Sequence, residues 1–203
     1  MGTTVYNIPY LFKLDEKVDL EKLKTAIEQT VEAHPYLKVQ LFMDEDGEIR
    51  QRRNDDLPYE AEIISGMDTK TLVRPFGLFN EQLFRFEIHT THDGSYLFID
   101  LHHLIADGTS FEIIISDINR AYSGEKLEAE SYTAYDAALD NEKLLTTDAY
   151  KKAEEYYTSI FDGCGGNTDL LSKLYLSIIA PNAPMKNTFS VIPYFPQIAF
   201  TAS

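Results

Sequence analysis

The chain has 203 residues, 44% hydrophobic, 25% charged and 12% aromatic, with a formal net charge of -15, which allows one sizeable core or two small ones. An acidic balance of this size argues against nucleic acid or an anionic membrane as partner, and no apolar run approaches the ~20 residues of a membrane span. A single cysteine, Cys164, excludes an internal disulfide framework and fits a reducing, cytoplasmic setting. The first residues lack a basic stretch followed by an apolar one, so no signal peptide is expected. Arg50, Arg52 and Arg53 form the only dense basic patch, a candidate phosphate contact.

In chain order, Thr4 to Leu14 reads as a strand, with Pro9 marking it as an edge or bulged one. Asp19 is a good N-cap, and Leu20, Leu23, Ile27, Thr30 and Val31 follow at helical spacing until His34-Pro35 stops the helix. Leu37 to Met43 and Glu48 to Arg53 predict a hairpin around Asp44-Glu45-Asp46-Gly47, and Glu60 to Ser65 a further short strand. Leu83 to Thr90 and Ser95 to His102 give the clearest hairpin, joined by Thr91-His92-Asp93-Gly94. Phe111, Ile114, Ile115, Ile118, Ala121 and Tyr122 then make an amphipathic helix opened by Ser110 and ended by Gly124. Two more helices are expected, Tyr132 to Asn141 and Asp148 to Phe161. Antiparallel hairpins mixed with helices predict an α+β fold, a mixed-sheet α/β sandwich.

Residues 1–162 read as one lobe and 163–203 as a separate stretch. After Cys164 only Asp169, Lys173 and Lys186 carry formal charge, and prolines at 181, 184, 193 and 196 break any long helix. The stretch is apolar but poorly periodic. It reads either as a closing strand and loops of the same core or as a segment crossing toward a second lobe.

The densest chemistry lies in His102-His103-Leu104-Ile105-Ala106-Asp107-Gly108. Alternation puts Leu97, Ile99, Leu101 and His103 on one face of a strand, and Tyr96, Phe98, Asp100 and His102 on the other. Adjacent strand residues cannot easily converge on one ion, so the pattern disfavours a metal site. It favours one histidine facing a reaction channel as an acid/base group while the other braces the fold. Asp107 either accepts a hydrogen bond from a histidine or forms a buried ion pair that pins the turn. Gly108 would let the backbone turn tightly and bring its N–H close to a substrate oxygen. Ser110 would cap the helix.

The motif His-His-x-x-x-Asp-Gly resembles the signature of condensation domains in nonribosomal peptide synthetases, and of wider acyltransferases with a chloramphenicol-acetyltransferase-like fold. Other segments share the resemblance. Tyr6-Asn7-Ile8-Pro9 looks like the family's first strand and Asp19 to His34 like the helix that follows. His34-Pro35-Tyr36-Leu37-Lys38 stands where the family often has Arg-His-x-x-Leu-Arg. Arg74-Pro75-Phe76-Gly77-Leu78 resembles Arg-Pro-Phe-Asp-Leu, and Gln82-Leu83-Phe84-Arg85 its Pro-Leu-x-Arg continuation. Tyr132-Thr133-Ala134-Tyr135-Asp136 resembles the later Tyr-x-Asp-Phe region. The likeness covers roughly residues 4 to 162. Lys38 and Gly77 depart from the usual arginine and aspartate. The family's first helix with its Ser-x-x-Gln motif is not found before Thr4, nor its C-terminal lobe after Cys164. The chain is therefore expected to be an N-terminal lobe, inactive on its own.

The resemblance implies amide bond formation between two carrier-bound thioesters. His103 would be the catalytic histidine, as base or as positioning group. His102 and Asp107 would be structural, with Arg85 or Lys38 as partner of Asp107, and Gly108 would line the site. Partners would be donor and acceptor peptidyl carrier proteins, whose phosphopantetheine arms leave no cofactor bound permanently, together with the C-terminal lobe and neighbouring synthetase domains. A free-standing coenzyme-A-dependent acyltransferase and a non-catalytic lobe are the alternatives. A serine hydrolase is disfavoured because no Gly-x-Ser-x-Gly elbow exists, and a lone Cys164 before Gly165-Gly166 is read as incidental.

Overall fold

A computed structural model of the chain describes residues 3–161 and 200–201. It divides into two compact units, residues 1–133 with 189–203, and residues 134–188. The stretch 163–203 singled out above lies outside the described residues apart from Phe200–Thr201.

In the first unit the strands are β1 (Asn7–Leu14), β2 (Val39–Met43), β3 (Ile49–Arg53), β4 (Glu62–Ser65), β5 (Phe84–Thr91), β6 (Gly94–His102) and β7 (Phe200–Thr201), with helices α1 (Leu20–Ala33) and α2 (Gly108–Tyr122). Among the described residues, five strands form one sheet in the order β4-β5-β6-β1-β7, and β2 and β3 form a separate hairpin. The large sheet is mixed, because β4 runs parallel to β5 while the other pairs are antiparallel.

One face of that sheet is the core. Tyr10 and Phe12 of β1, Phe84, Phe86 and Ile88 of β5, and Leu97, Ile99 and Leu101 of β6 share it by register. They meet Leu23, Ile27 and Val31 of α1 and Phe111, Ile114, Ile115 and Ile118 of α2. The Phe111 ring stacks on Tyr10 with centroids 3.7 Å apart. Fully burying such a side chain contributes about 1.5–3 kcal/mol, so the spacing read along α1 and α2 is what seats them on the sheet.

Both helices are closed by local chemistry. Asp19 Oδ1 accepts from Lys22 N at 3.0 Å, and Pro35 ends α1. At the end of α2, Gly124 adopts φ 91° and donates to Ala121 O, while Glu125 N donates to Arg120 O. That double bond is a Schellman closure, and its left-handed residue favours glycine.

Several boundaries differ from the sequence reading. β1 begins at Asn7, three residues later than expected. A 3-10 turn, Pro35–Lys38, takes up Leu37 before β2 starts. The helix after the motif opens at Gly108, capped by Asp107 and not by Ser110. β7 flanks β1 only at Lys13 and Leu14, so among the described residues Pro9 has no strand on its outer side, the edge position expected from the sequence. Its place there is explained by the hydrogen-bond alternation. Tyr6 O accepts from His103 N at 2.8 Å, so the even residues of β1 bond to β6 and the odd ones turn their N–H outward. Pro9, opposite Asp100, therefore costs the β1–β6 ladder nothing.

The second unit contains α3 (Ala134–Leu145) and α4 (Asp148–Phe161). α4 matches the expected span, while α3 begins two residues later and runs four residues further. No described helix is long and apolar enough to cross a membrane.

Candidate active site

β6 delivers the histidine pair at its C-terminal end. His102 N donates to Leu83 O on β5, and His103 N donates to Tyr6 O just ahead of β1, both at 2.8 Å. The ladder thus grips each histidine's backbone from opposite sides. The chain then turns, with Ile105 N on His102 O at 3.0 Å. Ile105 and Ala106 sink into the core, and α2 starts.

The imidazoles meet different surroundings. His102 is 6% exposed. Its ring lies edge-on to Phe76 at 5.8 Å and tilted to Tyr6 at 6.0 Å, and its Nδ1 accepts from Leu104 N at 3.1 Å. Burial first, then the nearby His103, lowers its pKa below the usual histidine value, so the neutral ring holds the turn. His103 is exposed, and among the described residues no side chain hydrogen-bonds its imidazole. Although strand alternation separates them, both rings line one cavity of about 670 Å³, with Thr3, Tyr6, Phe76, Leu78 and Leu104. A slightly larger cleft, about 730 Å³, runs along α1 and the Gly124–Ala129 segment. It has no histidine or cysteine in its lining and no motif residue, so the smaller, mostly apolar cavity is the candidate site.

The ion pair expected at Asp107 does not form. Its carboxylate is exposed and caps α2, with Oδ1 accepting from both N and Oγ of Ser110 at 2.8 Å. Those hydrogen bonds hold its carboxyl below the usual carboxylate range. A helix N-terminus already offers unpaired N–H groups, so the acid needs no cation. Arg85 pairs with Asp100 instead, NH1 to Oδ2 at 3.0 Å. Lys38 is buried, but its Nζ reaches Glu32 at 2.6 Å and Asp55 O at 3.2 Å. Gly108 has no positive φ, and a Cβ built there would meet nothing within 4 Å. This glycine is exposed, it is not among the residues that line the cavity, and the turn there needs no glycine. The arginines of β3 are engaged locally, Arg50 with Asp44, Arg53 with Asp55, and Arg52 with Asn80 Oδ1, which leaves little basic patch for phosphate.

Sequence reasoning passes over Asp100, Asn7 and Phe76. Asp100 is fully buried. Its Oδ2 accepts from Asn7 Nδ2 at 2.7 Å as well as from Arg85. Burial pushes its pKa up to about 6, against the Asn7 hydrogen bond and the Arg85 charge. The available signal was an acid inside the apolar run of β6. The Gly77 departure also has an explanation: the Glu81 carboxylate fills the space a side chain at Gly77 would take, so an acid stands there all the same.

A family model described as Condensation domain matches residues 1–191. A plipastatin synthase subunit of Bacillus subtilis (strain 168) is 31% identical over 169 residues, covering 80% of this chain and 5% of that protein. Surfactin synthase subunit 2 of the same strain is also 31% identical, with the same 80% and 5% coverage. Among solved structures, the starter condensation domain of a rhizomide synthetase aligns with a TM-score of 0.62 at 15% identity, over 79% of this chain and 43% of that one. The epimerization domain from the third module of tyrocidine synthetase B aligns at 0.62 and 20% identity, over 77% and 40%. These structural likenesses show the fold, the chloramphenicol-acetyltransferase-like α+β architecture expected from the sequence. The chain spans about 5% of the length of the two synthase subunits.

Proposed function

The chain belongs to the condensation-domain family, and on that premise we propose that the protein carrying it joins two carrier-bound thioesters through an amide bond, with His103 as its acid/base or positioning group. The observation that carries the reading is His103 itself: an exposed imidazole with no described side-chain partner, lining a mostly apolar cavity at the end of a rigid strand. In the reaction the acceptor amine attacks the donor thioester carbonyl. The C–N bond forms, the C–S bond breaks, and the amine's proton ends on the departing thiolate. An imidazole can hold that proton in transit, since histidine ionises near neutral pH. Help of this kind is worth about 10²–10⁴-fold.

His102 and Asp107 take the structural roles, one bracing the turn and the other starting α2. Donor and acceptor peptidyl carrier proteins bring both thioesters on phosphopantetheine arms, so no cofactor stays bound. The lone cysteine fits a cytoplasmic synthetase of secondary metabolism. We expect residues 1–203 alone to be silent, because the cavity is walled by few residues and a transferase must orient two substrates and exclude water.

The test is condensation by the full-length parent with loaded donor and acceptor carriers. The His103→Ala variant should lose about 10²-fold or more while keeping its fold, and product at the wild-type rate would overturn the assignment. Turnover of a free acyl-coenzyme A in place of the donor carrier would favour the free-standing acyltransferase instead.

A further inference from the structure

We propose that Asp100 is a positioning residue for the histidine pair, acting from behind the strand through Arg85 and Asn7 to fix the two aromatic walls that hold His102. The inference rests on the reading of His103 above and extends it to residues that touch neither histidine's imidazole by hydrogen bond.

The contacts form a closed set. Asp100 Oδ2 receives Arg85 NH1 at 3.0 Å and Asn7 Nδ2 at 2.7 Å. Its Oδ1 is buried with no partner among the described residues, so the anchorage runs through one oxygen. Arg85 uses the rest of its fork on the Arg74–Leu78 segment, with NH1 on Arg74 O and NH2 on Pro75 O, both at 2.8 Å. Its guanidinium carbon stands 3.7 Å from the Phe76 ring centroid. Asn7 Nδ2 also reaches Arg74 O, at 3.0 Å. Phe76 is thus backed by a cation on one side and meets His102 on the other. Tyr6, the neighbour of Asn7, touches the His102 ring and supplies the carbonyl for His103 N.

One carboxylate therefore steadies both aromatic contacts of His102 and the backbone partner of His103. A flat, bidentate guanidinium suits this task and an ammonium does not. The chemistry needs such backing, because displacing a catalytic group by about 1 Å costs on the order of 10²-fold in rate.

The experiment reads the histidine side chains of residues 1–203 by nitrogen-15 NMR, in the wild type and in Asp100→Asn and Arg85→Lys. In the wild type, His102 should show a single neutral tautomer with Nδ1 as acceptor, and ring-current-shifted carbon-bound protons. In either variant the two imidazole nitrogen signals of His102 should move together and its protons shift toward unstructured positions. His34 and His92 serve as unmoved controls. Arg85→Lys keeps the charge beside Asp100 but loses the fork and the stack, so it separates positioning from simple charge balance. It also decides the matter if Asp100→Asn does not fold.

Unchanged His102 signals in folded Arg85→Lys would overturn the proposal. So would unchanged signals in folded Asp100→Asn. In the full-length parent, Arg85→Lys should lower kcat about tenfold or more with KM little changed. Movement of His102 in a parent that makes no amide would sink the proposed function and leave the positioning role standing. An active parent whose His102 ignores both substitutions would do the reverse.

Discussion

Neighbouring residues on β6 live in different solvents. Ile99 and Leu101 face α1 and α2 in an all-apolar layer. Asp100 and His102, on the opposite face, meet Arg85, Asn7 and Phe76. The apolar layer is tolerant in kind, because any well-shaped hydrophobic side chain gains by leaving water. The polar layer is exacting, since each buried charge must keep a specific partner or pay for its lost hydration. Strength is spread over the first face; orientation is concentrated in the second.

Truncation on each face breaks that comparison most directly. Asp100→Ala removes the carboxylate partner of Arg85, which keeps Arg74 O, Pro75 O and the Phe76 ring, and should cost about 1–3 kcal/mol in denaturant unfolding. Ile99→Ala should cost about 2–5 kcal/mol through lost burial and a cavity. The two differ in rescue. Adding Arg85→Leu to Asp100→Ala should recover part of the loss, whereas no single partner substitution should rescue Ile99→Ala. Equal rescue on both faces would erase the distinction.

Acidity probes the polar face. Asp100 has its pKa raised from 3.8 to about 6, so the folded state binds its proton more tightly than the unfolded chain does. Its contribution to stability is full below about pH 4 and is lost as pH rises through about 6, a change of ~3 kcal/mol by linkage. The wild type minus Asp100→Asn difference in unfolding free energy should show that decline from pH 4 to 7, since the lowered pKa values of His102 and Asp107 add the opposite slope to both proteins. An identical slope in the variant would assign the titration elsewhere.

The smallest effect is expected at Asp107. It is an exposed helix cap, so Asp107→Ala should lower the melting temperature by only about 2–4 °C. A loss as large as that of Asp100→Ala would mean that the motif's acid is as deeply committed as the strand's.

Much of this arrangement is legible in the sequence. Helical spacing with Asp19 and Pro35 sets α1, whereas alternation misplaces His103, because β6 ends at His102 and both imidazoles line one cavity. The β5–β6 hairpin follows from its Asp93-Gly94 turn. Partner choice is not legible. Arg85 and Asp100 lie fifteen residues apart and meet only because the hairpin register places them opposite each other, which no local rule reports. Asp107 is misjudged because an acid near an apolar run suggests burial, although Ser110 three residues on already fits an N-cap pattern. Leu37 suits a strand or a turn equally, so the start of β2 is hidden.

Pro9 has a consequence beyond its own rung. Among the described residues β7 covers only Lys13 and Leu14 of β1, and no described strand pairs with the outer margin from Asn7 to Phe12. The proline deletes one donor from the middle of that margin. An invading chain would find its ladder broken there, which disfavours the edge-to-edge stacking that seeds fibrils. The same residue that the sheet accepts without loss on one side acts on the other as a guard on colloidal behaviour.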